Sequence, residues 1–228
     1  MQIYGIFLIS GLAVGSLYAL GGIGLVILHR ATGFLNFSYG AIAAASAMLC
    51  WQFLEWELPG PLSWIMALVT GVVLSVIFGR HIAPGLAWRD PVVKAVATLG
   101  YALILLGIIS FIWDDAARKL VLPTDKLGFR LLDVRITVTR LIVLASSVAV
   151  VIGTILYLEK TRMGLHMRAL ANNRQHSALL GIPILRVETI AWSLSGALAG
   201  FTGLMYGDLV RLDPTIIMRN PARGGHGP

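Results

Sequence analysis

All 18 Lys and Arg and all 11 Asp and Glu of this 228-residue chain fall outside six charge-free runs. The runs are Ile3–Leu28, Ala31–Leu54, Leu58–Gly79, Ala95–Trp113, Leu141–Leu158 and Thr189–Gly207. Each reaches or approaches the roughly 20 residues a helix needs to cross about 30 Å of hydrocarbon. A Lys or Arg at mid-membrane costs about 2.5 to 3.5 kcal/mol on insertion scales, so so clean a partition constrains the fold directly. The expected fold is all-α, a polytopic membrane helical bundle of about six transmembrane helices. Composition agrees, with 57% of residues hydrophobic and only 13% charged.

The first run lacks a basic leader and is too long for a signal peptide, which makes it a retained span. Residues 1–210 are expected to form the transmembrane domain, with the polar segment 159–188 inserted into it. Residues 211–228, polar and rich in Gly and Pro, are expected to be a disordered tail. The lone Cys50 excludes an intramolecular disulfide and any multi-cysteine metal site, and no cofactor or metal is called for.

The formal net charge of +7 is spread over the connections between runs, which argues for membrane topology and against a nucleic-acid partner. With 160–182 cytoplasmic, each side of the membrane holds nine basic residues, so the raw count does not orient the chain. Six of the external nine lie in the long 114–140 loop, and long loops weigh little. The 55–61 turn has two Glu and no base, and the first run ends at His29-Arg30. These features favour an external N-terminus. Asp114-Asp115 are expected to cap the fourth span at the water interface.

Small residues recur four apart at Gly11/Gly15, Ala41/Ala45, Gly196/Gly200 and Gly203/Gly207. That spacing lets helix backbones approach closely, which in lipid replaces the missing hydrophobic drive for association. Between Arg30 and Glu55, GFLNFSYG (Gly33–Gly40) is poor helix interior. Two readings fit: an irregular, buried entry to the second helix that puts Asn36 near a substrate path, or an interfacial turn in which Asn36 and Ser38 cap that helix.

The inserted segment KTRMGLHMRALANNRQHSALLGI (Lys160–Ile182) is the most informative stretch. Met163, Met167, Leu170 and Ala171 form one apolar face of a short helix. Asn172-Asn173 then break and recap the chain. A second short helix from about Arg174 ends at Gly181, a left-handed cap, before Pro183. The result is an elbow whose basic face carries Arg162, Arg168 and Arg174, suited equally to anionic lipid headgroups or to a soluble partner.

These residues resemble the permease subunits of bacterial branched-chain amino acid ABC importers, the Liv type. The pattern is Thr161-Arg162-Met163-Gly164, then Arg168-Ala169, Asn173 and Leu179-Leu180-Gly181-Ile182. It is followed by LSGALAGFTGLMYG (Leu194–Gly207), and GLAVGSLYALGGIGL (Gly11–Leu25) is similar to the family's first span. NFSYG (Asn36–Gly40) is similar to its Asn-Phe-Ala-His-Gly motif, with Ser38 in place of alanine and Tyr39 in place of histidine. The resemblance covers roughly residues 5 to 214.

It implies that 160–182 is a cytoplasmic coupling loop docking on ATP-binding subunits through Arg162, Gly164, Arg168, Ala169, Asn173 and Gly181. It also implies a second permease subunit, a periplasmic or extracellular solute-binding protein and a multi-pass location in the bacterial inner membrane. Asn36, Ser38, Tyr39 and Gly40 are the candidates for a substrate path. The chain has no Gly-Lys-Ser/Thr phosphate loop, so ATP belongs to other subunits. It has no metalloprotease pair or glycine-flanked nucleophilic serine to suggest an intramembrane enzyme. An ion-driven transporter would want ionisable groups inside its spans, and the six runs hold no Asp, Glu, Lys or Arg. After Leu212-Asp213-Pro214 the family continues with further spans where this chain stops, so a truncated remnant that inserts without transporting is the alternative.

Overall fold

The computed structural model of the chain describes residues 2–113, 128–131 and 134–209. In order they form α1 (Gln2–Thr32), α2 (Tyr39–Glu55), α3 (Gly60–Ile77), a π-helical turn (Phe78–Ile82), α4 (Ala83–Leu86) and α5 (Pro91–Trp113). A hairpin of β1 (Gly128–Leu131) and β2 (Val134–Thr137) follows. The chain then continues through α6 (Val138–Lys160), α7 (Arg162–Asn172), α8 (Arg174–Leu179) and α9 (Ile184–Leu209). The expected Asp114-Asp115 cap and the 211–228 tail lie outside the described residues.

The helical bundle is as expected, and six long helices coincide with the six charge-free runs. Three of them are long and apolar enough to cross a membrane by length and composition, Val14–Thr32, Gly60–Leu86 and Pro91–Trp113. The count becomes four if α6 and α7, bent by 79° at their junction, make one broken span. Helix α2 has only 17 residues, and α9 is lightened by Gly, Ser and Thr. Both are inner helices: α9 packs against α1, α2 and α3, and α2 packs against α3 and α5 as well. A helix screened from lipid by its neighbours needs less hydropathy of its own. The β1–β2 hairpin is an addition to the all-helical expectation; it pairs antiparallel, with Gly128 opposite Thr137 and Leu131 opposite Val134.

The bundle turns many large apolar side chains outward and buries small and polar groups beside its aliphatic and aromatic core. On α5, Phe111 is 91% exposed and Val96, Leu103 and Ile104 are exposed too, whereas Thr98 and Ala102 point inward. Ser46, Ser63 and Ser75 are buried as well, with Ser75 Oγ donating to the Trp192 carbonyl at 2.7 Å. Large apolar side chains turned outward, with hydroxyls bonded inside, fit hydrocarbon as solvent.

The expected close approach of small residues holds along α9. A methyl group on Gly196 would strike the Gly71 backbone, one on Gly200 would lie 3.0 Å from the Ala67 carbonyl, and one on Gly203 would strike Ala43. At Gly11 and Gly15 such a group meets nothing, so that pair packs against no described neighbour. At one end of the bundle Phe34, Phe78 and Trp192 form an aromatic cluster with ring centroids 5.2 to 6.4 Å apart. The π turn after α3 puts Gly79 under the Trp192 indole, where any side chain would collide with the ring. Leu28, Val187, Ala191, Met167 and Leu170 complete this core, which therefore joins the ends of α1, α3 and α9 to α7.

Candidate functional site

The elbow and an apolar cavity are the two places where the structure gathers the residues singled out above. At the elbow, Thr161 ends α6 and begins α7. Its hydroxyl donates to the Tyr157 carbonyl at 2.6 Å and accepts from Gly164 N at 3.0 Å, a side-chain cap of the new helix. Gly164 sits in the first turn of α7, directly against the Leu158 backbone, and a Cβ there would overlap Leu158. The Thr-Arg-x-Gly sequence thus has a physical meaning: threonine supplies the cap, and glycine lets the chain fold back sharply on α6.

The buried face of α7 is Gly164, Met167 and Leu170, with Met163 packed partly against the same core. Ala171, expected on that face, is exposed, because the buried stripe follows every third residue, Gly164, Met167 and Leu170, and Ala171 falls beside it. Arg162 and Arg168 are exposed, as is Leu165 between them, and Ala169 is half-buried. Asn173 separates the two short helices in an extended conformation (φ −155°, ψ 108°), and its Oδ1 accepts from His176 N at 3.0 Å. Gly181 has φ +74°. Gly181 N donates to Ala178 O at 3.0 Å and Ile182 N to Ser177 O at 3.1 Å, the paired bonds of a Schellman motif. The break, recap and left-handed stop therefore fall where the sequence put them. Arg174 does not share the exposed basic face: its guanidinium turns inward and pairs with Glu188 of α9.

The cavity, of about 580 Å³, lies between α1, α2 and α9. Its wall is mostly small and apolar, with Leu17, Gly21, Ala43, Ala47 and Gly203 on it, and aromatic groups at Tyr18, Trp51 and Tyr206. Tyr39 and Gly40 are on the wall; Asn36 and Ser38 are not. The Tyr39 ring lies across the glycines of α1, so that a Cβ on Gly24 would come within 2.7 Å of it. Thr202 donates its hydroxyl to the Leu198 carbonyl at 2.7 Å, so the 3.2 Å contact with Tyr39 is a bond donated by the tyrosine. This hydroxyl pair bridges α2 and α9 inside the cavity.

Asn36 and Ser38 belong to the turn that delivers Tyr39 to the wall. From Gly33 to Phe37 exposed and buried residues alternate, as extended backbone requires. Asn36 is 2% exposed, and its Oδ1 accepts from Ser38 N at 3.1 Å and from Ser38 Oγ at 2.5 Å. Ser38 stands at the N-cap position of α2 without a side-chain capping bond. Thr98 of α5, not singled out from sequence, anchors this turn: its Oγ1 accepts from Phe37 N at 3.2 Å and lies 2.9 Å from Leu35 O. Thr202 was missed as well, since a threonine within an apolar helix carries no local signal of its partner 163 residues away. Among the described residues no group of His, Cys, Asp and Glu is placed to hold a metal ion.

A family model described as "Branched-chain amino acid transport system / permease component" matches residues 7–215. A protein of Methanocaldococcus jannaschii named as a probable branched-chain amino acid transport permease protein, LivH, is 29% identical over 194 residues, covering 82% of this chain. The high-affinity branched-chain amino acid transport system permease protein BraD of Pseudomonas aeruginosa is 22% identical, covering 88% of this chain. Its counterpart LivH of Escherichia coli is 21% identical over 87% of it. The match spans 61% of the archaeal protein, 69% of BraD and 68% of the Escherichia coli protein. No solved structure matches the chain.

Proposed function

Because this chain belongs to the family of permease components of branched-chain amino acid transport systems, we propose that it is the translocating subunit of an ATP-driven importer. It takes branched-chain or related amino acids and works as a multi-pass protein of the bacterial inner membrane. Its partners in this reading are ATP-binding subunits, a second permease subunit and a periplasmic or extracellular solute-binding protein. Its own part is passage, and ATP hydrolysis is left to the partners.

The observation that carries the proposal is the construction of the elbow. A transmitted push needs a rigid lever with an outward polar surface and an inward apolar seat. Capping by Thr161 and Asn173 and the stop at Gly181 give the rigidity. Arg162 and Arg168 give the surface, and guanidinium groups suit planar, multi-donor contacts to a partner. Met167 and Leu170 give the seat, in the core shared with Trp192 of α9. Gly164 sets the lever's angle, and Ala169 is half-buried beside Arg168.

The cavity supports passage. Its apolar wall suits an aliphatic side chain, and Tyr39 with Gly40 borders it. Asn36 and Ser38 act behind the wall by shaping the turn before Tyr39.

The test is capture and transport by the reconstituted assembly. The unaltered chain, co-expressed with its ATP-binding subunits, is expected to co-purify with them from detergent, and Arg168→Glu to lower capture by roughly a hundredfold or more, since facing like charges costs several kcal/mol. Ala47→Phe, which puts a ring into the cavity, is expected to keep capture and to reduce uptake of labelled leucine. Failure of a stably inserted, unaltered chain to capture the subunits would overturn this reading and leave a permease that does not transport.

A further inference from the structure

Helix α8 is the outermost part of the elbow. It buries only Ser177 among its residues. Just beyond its end, Leu180 is 79% exposed, and Leu179 within it is 84% exposed. Its first residue is different. The Arg174 guanidinium donates from Nη1 to Glu188 Oε1 on the first turns of α9. The same group lies 5.8 Å from the ring centre of Trp88, in the turn that joins α4 to α5. One side chain therefore ties α8 both to α9 and to the distant α4–α5 turn. Glu188 is 8% exposed and is the only charged side chain among the buried described residues.

From Glu188, α9 runs without interruption past Trp192, through Gly196 and Gly200 against α3, to Thr202 and Gly203 on the cavity wall. The 14 residues from Glu188 to Thr202 rise about 21 Å as continuous helix. One unbroken helix therefore joins Glu188 to the cavity wall.

We propose that the Arg174–Glu188 ion pair, flanked by Trp88, is the strut that transmits displacement of α8 to α9 and so to the cavity. The proposal rests on the coupling reading of the elbow. The chemistry suits the task. The apolar seat of α7 holds by area and is indifferent to direction, whereas a charged, hydrogen-bonded pair is directional and is strongest where water is excluded. Withdrawing Arg174 would leave the largely buried Glu188 charge unpaired, so α8 and α9 move together at less cost than they move apart. Arg174 and Glu188 are positioning residues; nothing requires them to touch the transported solute.

The experiment uses the full assembly in proteoliposomes and measures subunit capture, ATP hydrolysis and uptake of labelled leucine side by side. Glu188→Gln is expected to leave capture and hydrolysis intact and to lower leucine taken up per ATP hydrolysed about tenfold, within the range of coupling energies between distant sites. Exchanging the pair, Arg174→Glu with Glu188→Arg, is expected to recover most of that ratio. An unchanged ratio in Glu188→Gln would overturn the proposal. So would a joint fall in capture, hydrolysis and uptake that the exchange leaves unrepaired, which is the behaviour of a merely structural pair. Should Glu188→Gln fail to accumulate, Arg174→Gln removes the charge from the other side of the pair, and an uptake-to-hydrolysis ratio equal to the unaltered value would overturn the proposal equally. Absence of capture by the unaltered chain would remove the coupling reading and the strut with it.

Discussion

Gly71→Val is expected to abolish recovery of folded protein from detergent extracts. A Cβ on Gly71 would strike the Gly196 carbonyl and stand 2.9 Å from Gly200 N and 3.0 Å from Gly200 Cα. All three are backbone atoms of α9, which have no rotamer to escape into, so relief requires α3 and α9 to separate. Overpacking between side chains costs about 1 to 3 kcal/mol, and a clash with backbone exceeds that range. Separation also undoes the Ser75–Trp192 bond and unseats Gly196 and Gly200 together. The check is the monodisperse peak in size exclusion and the thermal midpoint followed by tryptophan emission. A valine variant with the unaltered yield and midpoint would show that the two helices do not cross at this glycine. Gly100→Val is the control: a Cβ there meets nothing, so both quantities are expected to stay unchanged.

The second large effect is expected at the elbow. Gly164→Val places a branched side chain into the Leu158 backbone, and the 79° bend between α6 and α7 must open. Helix α7 then lifts from its seat, exposing Met167 and Leu170, each worth about 1.5 to 3 kcal/mol when fully buried. The bundle itself is expected to persist, because α7 contributes only those two fully buried side chains to it. Thiol labelling reads this directly: Met167→Cys should be protected from a maleimide in the parent and labelled rapidly beside Gly164→Val. The native Cys50 is buried and gives a low background. Equal protection in both would mean that the bend does not depend on the glycine.

The elbow was the most legible part of the chain. Caps and stops depend on residues within four positions of one another, so the recap at Asn173 and the stop at Gly181 could be assigned from sequence alone, while the Thr161 cap emerged only from the structure. Arg174 was misjudged for the complementary reason. As the first residue of a short polar helix it resembles Arg162 and Arg168, and only the return of α9 with Glu188 makes it a half-buried ion-pair partner. The cavity was least legible. Tyr39 was a candidate, but its neighbours Gly24 and Thr202 lie on separate helices, and a glycine that receives a ring reads like one that packs on backbone. Thr98 was overlooked because its partners, Leu35 and Phe37, are about 60 residues away on a turn whose course no local pattern predicts.

Sequence alone determined the solvent and the class of this protein: hydrocarbon excludes charge, so the charge-free runs had to become helices with their backbone bonds satisfied internally. It also determined the elbow, whose geometry is a matter of caps and glycines acting over one turn. Which helices lie inside was decided only by tertiary structure. In lipid an apolar side chain gains nothing by being buried, so hydropathy does not distinguish a helix facing lipid from one facing its neighbours. That choice fell to backbone contact, at Gly71 against Gly196 and Gly200 and at Gly203 against Ala43, and it put α9 at the centre with the cavity on one flank and Glu188 at its root.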